Sequence, residues 1–200
     1  MAPVVSHPLY FQLHWLAQCA LRTVRECRDP FFHITTLDDY RAMSPLERGA
    51  FVGTMFQRKL ILWLQMTYPG MWREGGSNGN HKEPDVVCVN NPDFSLEVKT
   101  SSVKGNAIRG NRVQANANKT PGYLLYVNYH ADPLTIRDVR LGWCGPDDWQ
   151  PHNGNSQAAT LKPEVAQTFT SVPIHGNLSM LSAAIDELDR NETVMVDWHN

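Results

Sequence analysis

Pro84-Asp85-Val86-Val87-Cys88-Val89, Asn90-Asn91-Pro92-Asp93 and Phe94-Ser95-Leu96-Glu97-Val98-Lys99 form the stretch on which the reading of this chain turns. Two short apolar runs, Asp85 to Val89 and Phe94 to Lys99, flank four residues whose Asn, Pro and Asp make them a turn by composition. The stretch therefore reads as a β-hairpin over 85–99. A lone acid-x-Lys triplet is common by chance, but Glu97 and Lys99 sit inside an apolar strand, where two charges are costly unless they have partners or work. Two apart on a strand, they project to one face.

Register decides whether Asp85 joins them. A turn closed over 90–93 sets Val89 opposite Phe94 and Asp85 opposite Val98, on the wrong face. For the two carboxylates to meet, the loop must have three or five residues, or a bulge, so that Asp85 lies opposite Glu97 or Lys99. The plainer alternative is a half-exposed hairpin in which Glu97 and Lys99 form a cross-strand charge ladder. Asp93 after Pro92 and Asp147 after Pro146 are explained by turn chemistry.

Carboxylates on adjacent strands suit one kind of chemistry. Hydrolysis of a phosphodiester needs a cation to neutralise developing charge and to deliver a nucleophilic water, and Mg2+ takes a few hard oxygen ligands while keeping several waters. Asp85, Glu97 and the carbonyl of Val98 are the candidate metal ligands, and the ammonium of Lys99 is placed to orient or deprotonate water.

Upstream, apolar residues at three- and four-residue steps predict a helix over 7–27, ending before Asp29-Pro30. Ser44-Pro45-Leu46-Glu47 combines a hydroxyl N-cap, a first-position proline and a carboxylate three residues on, so a second helix runs over 44–66. Residues 73–83 read as a polar loop. Downstream, 100–121 show no clear period, while Tyr123–Tyr129 and Ile136–Trp143 predict a second hairpin over 122–144. A short helix is expected over 179–188. Trp63, Trp143, His14 and His130 read as packing or surface residues. No Ser/His/Asp or Cys/His arrangement and no phosphate-cradling glycine loop is identifiable.

Two hundred residues, 42% of them hydrophobic, suffice for a single domain with one sizeable core. The apolar runs are too short to span a bilayer and the N-terminus lacks a signal-peptide layout, which predicts a soluble, cytoplasmic protein. Four cysteines without Cys-x-x-Cys pairs point to reduced, buried thiols. A net charge of −2 argues against indiscriminate coating of nucleic acid. The charge is nevertheless uneven: the segment 98–121 holds Lys99, Lys104, Arg109, Arg112 and Lys119 and no acid.

Pro-Asp followed by Glu-x-Lys on the next strand, behind a helix carrying an acid, resembles the PD-(D/E)xK nuclease superfamily. The resemblance implies an α/β fold, a central mixed β-sheet flanked by helices, with the two N-terminal helices preceding the catalytic hairpin. Glu97-Val-Lys-Thr-Ser-Ser102, followed by Gly110-Asn-Arg112, is similar to type II restriction endonucleases of the ScaI-like group. By that resemblance Asp85 and Glu97 bind Mg2+ and Lys99 assists the water. Glu47 would be the helix acid that sometimes reaches the metal, although its capping-box position explains it equally well. One departure is that 100–121 lack the apolar stripe of the helix expected after the Glu-x-Lys strand.

Bases are read by Arg, Lys, Asn and Gln side chains. Lys104, Asn106, Arg109, Asn111, Arg112, Gln114 and Lys119 are therefore expected against DNA, with Asn78 and Lys82 as a second candidate loop; a solvated, glycine-rich loop would have the same composition. The expected function is Mg2+-dependent, sequence-specific cleavage of double-stranded DNA by a homodimer on a palindromic site. The alternatives are a repair or resolvase-type nuclease and a non-catalytic DNA-binding module of the same fold.

Overall fold

The computed structural model describes residues 6–26, 36–76, 83–103, 107–111, 121–132, 134–150 and 158–172. The expected helix over 179–188, residues 112–120 and residues 77–82 of the expected polar loop lie outside these residues.

The first helix, α1 (Leu13–Glu26), starts later than its apolar periodicity suggests. The His7 ring accepts the amide of Leu9 at 3.2 Å, and Tyr10 and Gln12 donate three residues back to His7 and Leu9, so tight turns around Pro8 occupy the start. A short α2 (Leu37–Ala42) was not expected; Thr36 and Asp39 form its capping box. Helix α3 (Pro45–Thr67) begins where the sequence places it, with Ser44 and Glu47 exchanging cap hydrogen bonds. It ends at Tyr68, and Gly70, at a φ of +76°, turns the chain away.

The strands are β1 (Trp72–Glu74), β2 (Val86–Cys88), β3 (Leu96–Ser101), β4 (Arg109–Asn111), β5 (Gly122–Ala131), β6 (Leu134–Cys144), β7 (Ala158–Thr160) and β8 (Thr170–Ser171). Six form one mixed sheet in the order β1-β2-β3-β5-β6-β8, with β3 and β5 parallel and the other pairs antiparallel. This is the expected α/β architecture, a mixed sheet flanked by helices. The second hairpin is present as β5 and β6. Two expectations are corrected. Residues 73 and 74, assigned to a polar loop, pair with Val87 and Val86 as part of β1. The first hairpin has shorter strands and a longer connection than a turn over 90–93, because Pro92–Phe94 coil into a 3-10 turn in which Asn91 Oδ1 accepts the amide of Asp93.

Alternation sorts the sheet into two faces. Leu96, Val98, Leu125, Val127, Val139 and Leu141 pack with α1 and α3, whose own contact includes the edge-to-face pair Trp15–Trp63. Leu124, Tyr126 and Cys144 face the other way, against Ile108, Trp149, Leu161 and Phe169. The second face is thus covered by the β4–β7 ribbon and the short α4 (Pro163–Ala166), in place of a long helix after β3. Phe169 reaches the sheet because Gly142 has no side chain: a Cβ there would lie 2.2 Å from its ring. No helix among the described residues is long and apolar enough to cross a membrane.

Candidate active site

The site is built where β2 gives out. β2 pairs with β3 at Val86↔Leu96, and continuing that register by one residue sets Asp85 across from Glu97. That is the alignment the two carboxylates require. It arises because seven residues, 89–95, connect the strands, and Ser95 Oγ accepts the amide of Cys88 inside that connection. At Asp85 the side chain takes over from the strand ladder, with Oδ2 accepting the main-chain amide of Val98 at 3.0 Å.

The three side chains converge. Lys99 Nζ lies 2.5 Å from Glu97 Oε1, 3.0 Å from the carbonyl oxygen of Val98 and 3.6 Å from Asp85 Oδ2. Glu97 is 3% exposed, and the side chains of Asp85 and Lys99 are 12% and 20% exposed. Each charge is drawn out of water, which is tolerable because each faces an opposite one. Among the described residues no three His, Cys, Asp or Glu side chains form a metal cluster. The oxygen donors gathered here are two carboxylates and a main-chain carbonyl.

Asp85 is held from behind by a part of the chain that the sequence reading left as loop. Gly75 donates its amide to the Asp85 carbonyl at 3.0 Å. The chains pass so closely that a Cβ on Gly75 would lie 1.6 Å from the carbonyl oxygen of Pro84. Beside it, Arg73 grips Glu83 through both guanidinium nitrogens, at 2.9 and 3.0 Å, and Gly76 donates to the same carboxylate. The Arg73 guanidinium, helped by the Gly76 amide, holds the Glu83 carboxyl down at about 2. His7 braces the other end: its Nε2–H donates to the carbonyl of Phe94 at 3.0 Å while Nδ1 accepts from Leu9, a pattern that requires the neutral ring. Burial pushes His7 down to about 4, against a smaller opposing effect of the Phe94 carbonyl.

A cavity of about 470 Å³ lies between β3 and α3, lined by Asp85, Val98, Lys99 and Thr100 on one side and Gly49, Ala50, Gly53, Thr54 and Gln57 on the other. Glu47 does not line it. Its carboxylate caps Ser44 at 2.8 Å, so the geometry supplies the capping role and gives no contact with the site. Gln57, nearly three turns further along α3, lines the cavity instead. Gly53 faces β3, where a Cβ would make an ordinary contact with Thr100 Oγ1 at 3.4 Å.

Of the residues expected against DNA, Arg109 is exposed on β4 and Asn111 ends that strand. Lys104, Asn106, Arg112, Gln114, Lys119, Asn78 and Lys82 lie outside the described residues. Cys19, Cys88 and Cys144 are buried free thiols. Burial, reinforced by the negative charges of Asp148 and Glu97, pushes Cys144 up to about 12 and makes it a poor nucleophile. His14 is buried, and His130 accepts from Arg137 on the surface. Trp63 is core, whereas Trp143 is partly buried against Tyr123.

A mixed sheet flanked by helices, with an acidic pair and a lysine at a strand edge beside an open cavity, defines a restriction-endonuclease-like core. Residues 7–175 match the family model of the ScaI restriction endonuclease, and the chain belongs to that family. It is therefore a nuclease that acts on DNA. No curated protein matches the chain.

Proposed function

We propose that the protein is a type II restriction endonuclease of the PD-(D/E)xK superfamily that hydrolyses double-stranded DNA at a specific sequence with Mg2+, using Asp85, Glu97 and Lys99. The observation that carries this reading is the meeting of three oxygens, from Asp85, Glu97 and Val98, around the Lys99 ammonium at the wall of an open cavity. That donor set is hard, anionic and partly open to solvent, which fits Mg2+ and leaves room for its waters. Asp85, Glu97 and the Val98 carbonyl would hold the ion, which supplies Lewis acidity to the phosphoryl group.

The chain's own residues do the rest. Glu97, buried and fixed by β3, sets the position of the Lys99 ammonium. Lys99 orients the attacking water and offers positive charge to the phosphoryl oxygens as charge develops on them. Asp85, anchored through its Oδ2 to the Val98 amide and through its carbonyl to Gly75, keeps the acidic pair aligned without needing to move during the reaction. The basic segment 98–121 carries the residues assigned to DNA contact. Cutting both strands of a symmetric target calls for a homodimer, one site per strand.

Digestion of high-molecular-weight DNA with Mg2+, followed by sequencing of the ends, tests the reading. A single motif at every end is expected. Cuts confined to branched or damaged DNA would replace restriction with repair, and a monomer on a symmetric target by sedimentation would remove the dimer.

A further inference from the structure

The strand register carries one side-chain row across the sheet: Lys99 lies beside Tyr126, Tyr126 opposite Arg140, and Arg140 opposite Ser171. At about 5 Å per strand, Arg140 stands about 10 Å from Lys99, on the sheet face away from α1 and α3. A second cavity, of about 430 Å³, opens there, with Arg140, Leu161 and Phe169 in its wall and the exposed side chains of Gln150 and Gln167 at its rim. Its size is that of a small-molecule site, about 300–1,000 Å³. The Arg140 side chain is only 19% exposed, and its Nε–H donates to Asp138, whose other oxygen accepts the Ser171 hydroxyl at 3.2 Å. Such a pair is costly to desolvate, and apolar residues of the same volume would serve the core as well or better. A guanidinium fixed in the wall of an open cavity is therefore kept for what enters it.

We infer that this cavity receives one nucleobase of the target DNA, rotated out of the stack, with Arg140 and the Gln150 and Gln167 amides reading its edge against the Phe169 ring and Leu161. The inference rests on the nuclease reading and gives that enzyme a base-reading site apart from its catalytic cavity. Charge excludes the simpler anion: Asp138 neutralises Arg140, so a phosphate entering here would be repelled by one about as much as it is drawn by the other. A base is neutral, offers acceptors to a guanidinium and a donor–acceptor pattern to an amide, and presents apolar faces to the rest of the wall. Concavity decides how it arrives. Paired bases show only their edges at the groove floor, which a protruding side chain reaches and a recess does not. The rim also suits the phosphate of the extruded nucleotide, because the exposed Arg109 of β4 lies directly opposite Thr160, a further residue of the wall.

Sequencing the ends of a wild-type digest gives the target motif, and duplexes carrying it with 2-aminopurine at each position in turn are then mixed with excess enzyme and Mg2+ in stopped flow. A severalfold rise in fluorescence ahead of cleavage, at one position only, is expected from an unstacked base. Two variants, with folding verified by Tm, should diminish that rise: Gln167→Ala at the exposed rim, and Asp138→Asn combined with Arg140→Gln, which leaves no carboxylate unpaired. Discrimination at the same position should fall by about 5- to 150-fold in the combined variant and by about 2- to 10-fold in Gln167→Ala, with the other positions read as before. A motif relaxed at one position without any fluorescence rise would overturn the inference in favour of reading in the groove, and a motif unchanged in both variants would overturn it outright. Wild type that cuts at a discrete motif keeps the nuclease reading in either case, whereas wild type that neither binds nor cuts the DNA defeats both.

Discussion

Replacing Lys99 by Met keeps the aliphatic stem and removes the ammonium that sits 2.5 Å from Glu97 and 3.6 Å from Asp85. Breaking a buried ion pair by deleting one partner costs about 3–5 kcal/mol, most of it from the buried charge left behind. Glu97 is 3% exposed, but the Lys99 side chain is 20% exposed, which places the loss near the lower end, about 3 kcal/mol. For a chain of 200 residues that corresponds to a Tm lowered by about 6–12 °C in a metal-free buffer. A divalent cation should then restore what the ammonium supplied. Melting by differential scanning calorimetry across an Mg2+ titration should therefore show a larger rise for Lys99→Met than for wild type, while DNA cleavage stays reduced by orders of magnitude. Equal Tm values without metal, or the same Mg2+ response in both proteins, would refute the reasoning that the three oxygens form one cation site.

Other outcomes follow from the surrounding geometry. Gly75→Ala has no room against Pro84 and must push the Asp85 segment aside; a displacement near 1 Å predicts a loss of about 100-fold in kcat, and normal turnover in steady-state assays would free Asp85 from this anchor. His7 is held down at about 4 against an ordinary value of 6.5, so the unfolded chain takes up the proton first as pH falls. Its contribution is complete above pH 6.5 and is lost between about 6.5 and 4, reaching about 3 kcal/mol, and His14 shifts in the same direction. Urea unfolding over that range should show a shallower pH slope for His7→Leu, and an unchanged slope would count against the neutral, doubly bonded ring. Glu83, lowered to about 2, stabilises the fold above about pH 4.5 and ceases to do so as pH falls towards 2. Arg73→Met should raise the Glu83 titration into the ordinary carboxylate range by NMR, and a titration still near 2 would remove Arg73 as the cause.

What could be read from the chain followed the strength of local signals. Ser44-Pro45-Leu46-Glu47 fixed the start of α3 because its cap is made from adjacent residues. The requirement that Asp85 face Glu97 was legible as a condition on the loop, since side chains on a strand alternate strictly. The means of meeting it, a 3-10 turn with Ser95 bonded to Cys88, depends on contacts that composition does not encode. β1 escaped notice because three residues, Trp72–Glu74, are too few to display a period, and α2 because six residues carry little beyond the Thr36–Asp39 box. The cover on the second sheet face was unreadable for a related reason: β4 and β7 are some fifty residues apart and make sense only as a pair. Glu47 misled in the opposite way, for the same carboxylate that marks a cap also resembles a catalytic acid. Gly75 matters through what lies across from it in space, and a single sequence contains no trace of that.

The most direct measurement compares wild type with Asp85→Asn and Glu97→Gln, each nearly isosteric, in single-turnover cleavage of DNA with and without Mg2+, with folding verified by Tm. Discrete fragments from wild type in Mg2+, none in EDTA, and cleavage lowered by orders of magnitude in both folded variants are the predicted results. Either variant cutting at the wild-type rate, or wild-type cleavage that persists in EDTA, would contradict the assignment of this acidic pair as the metal-dependent heart of the nuclease.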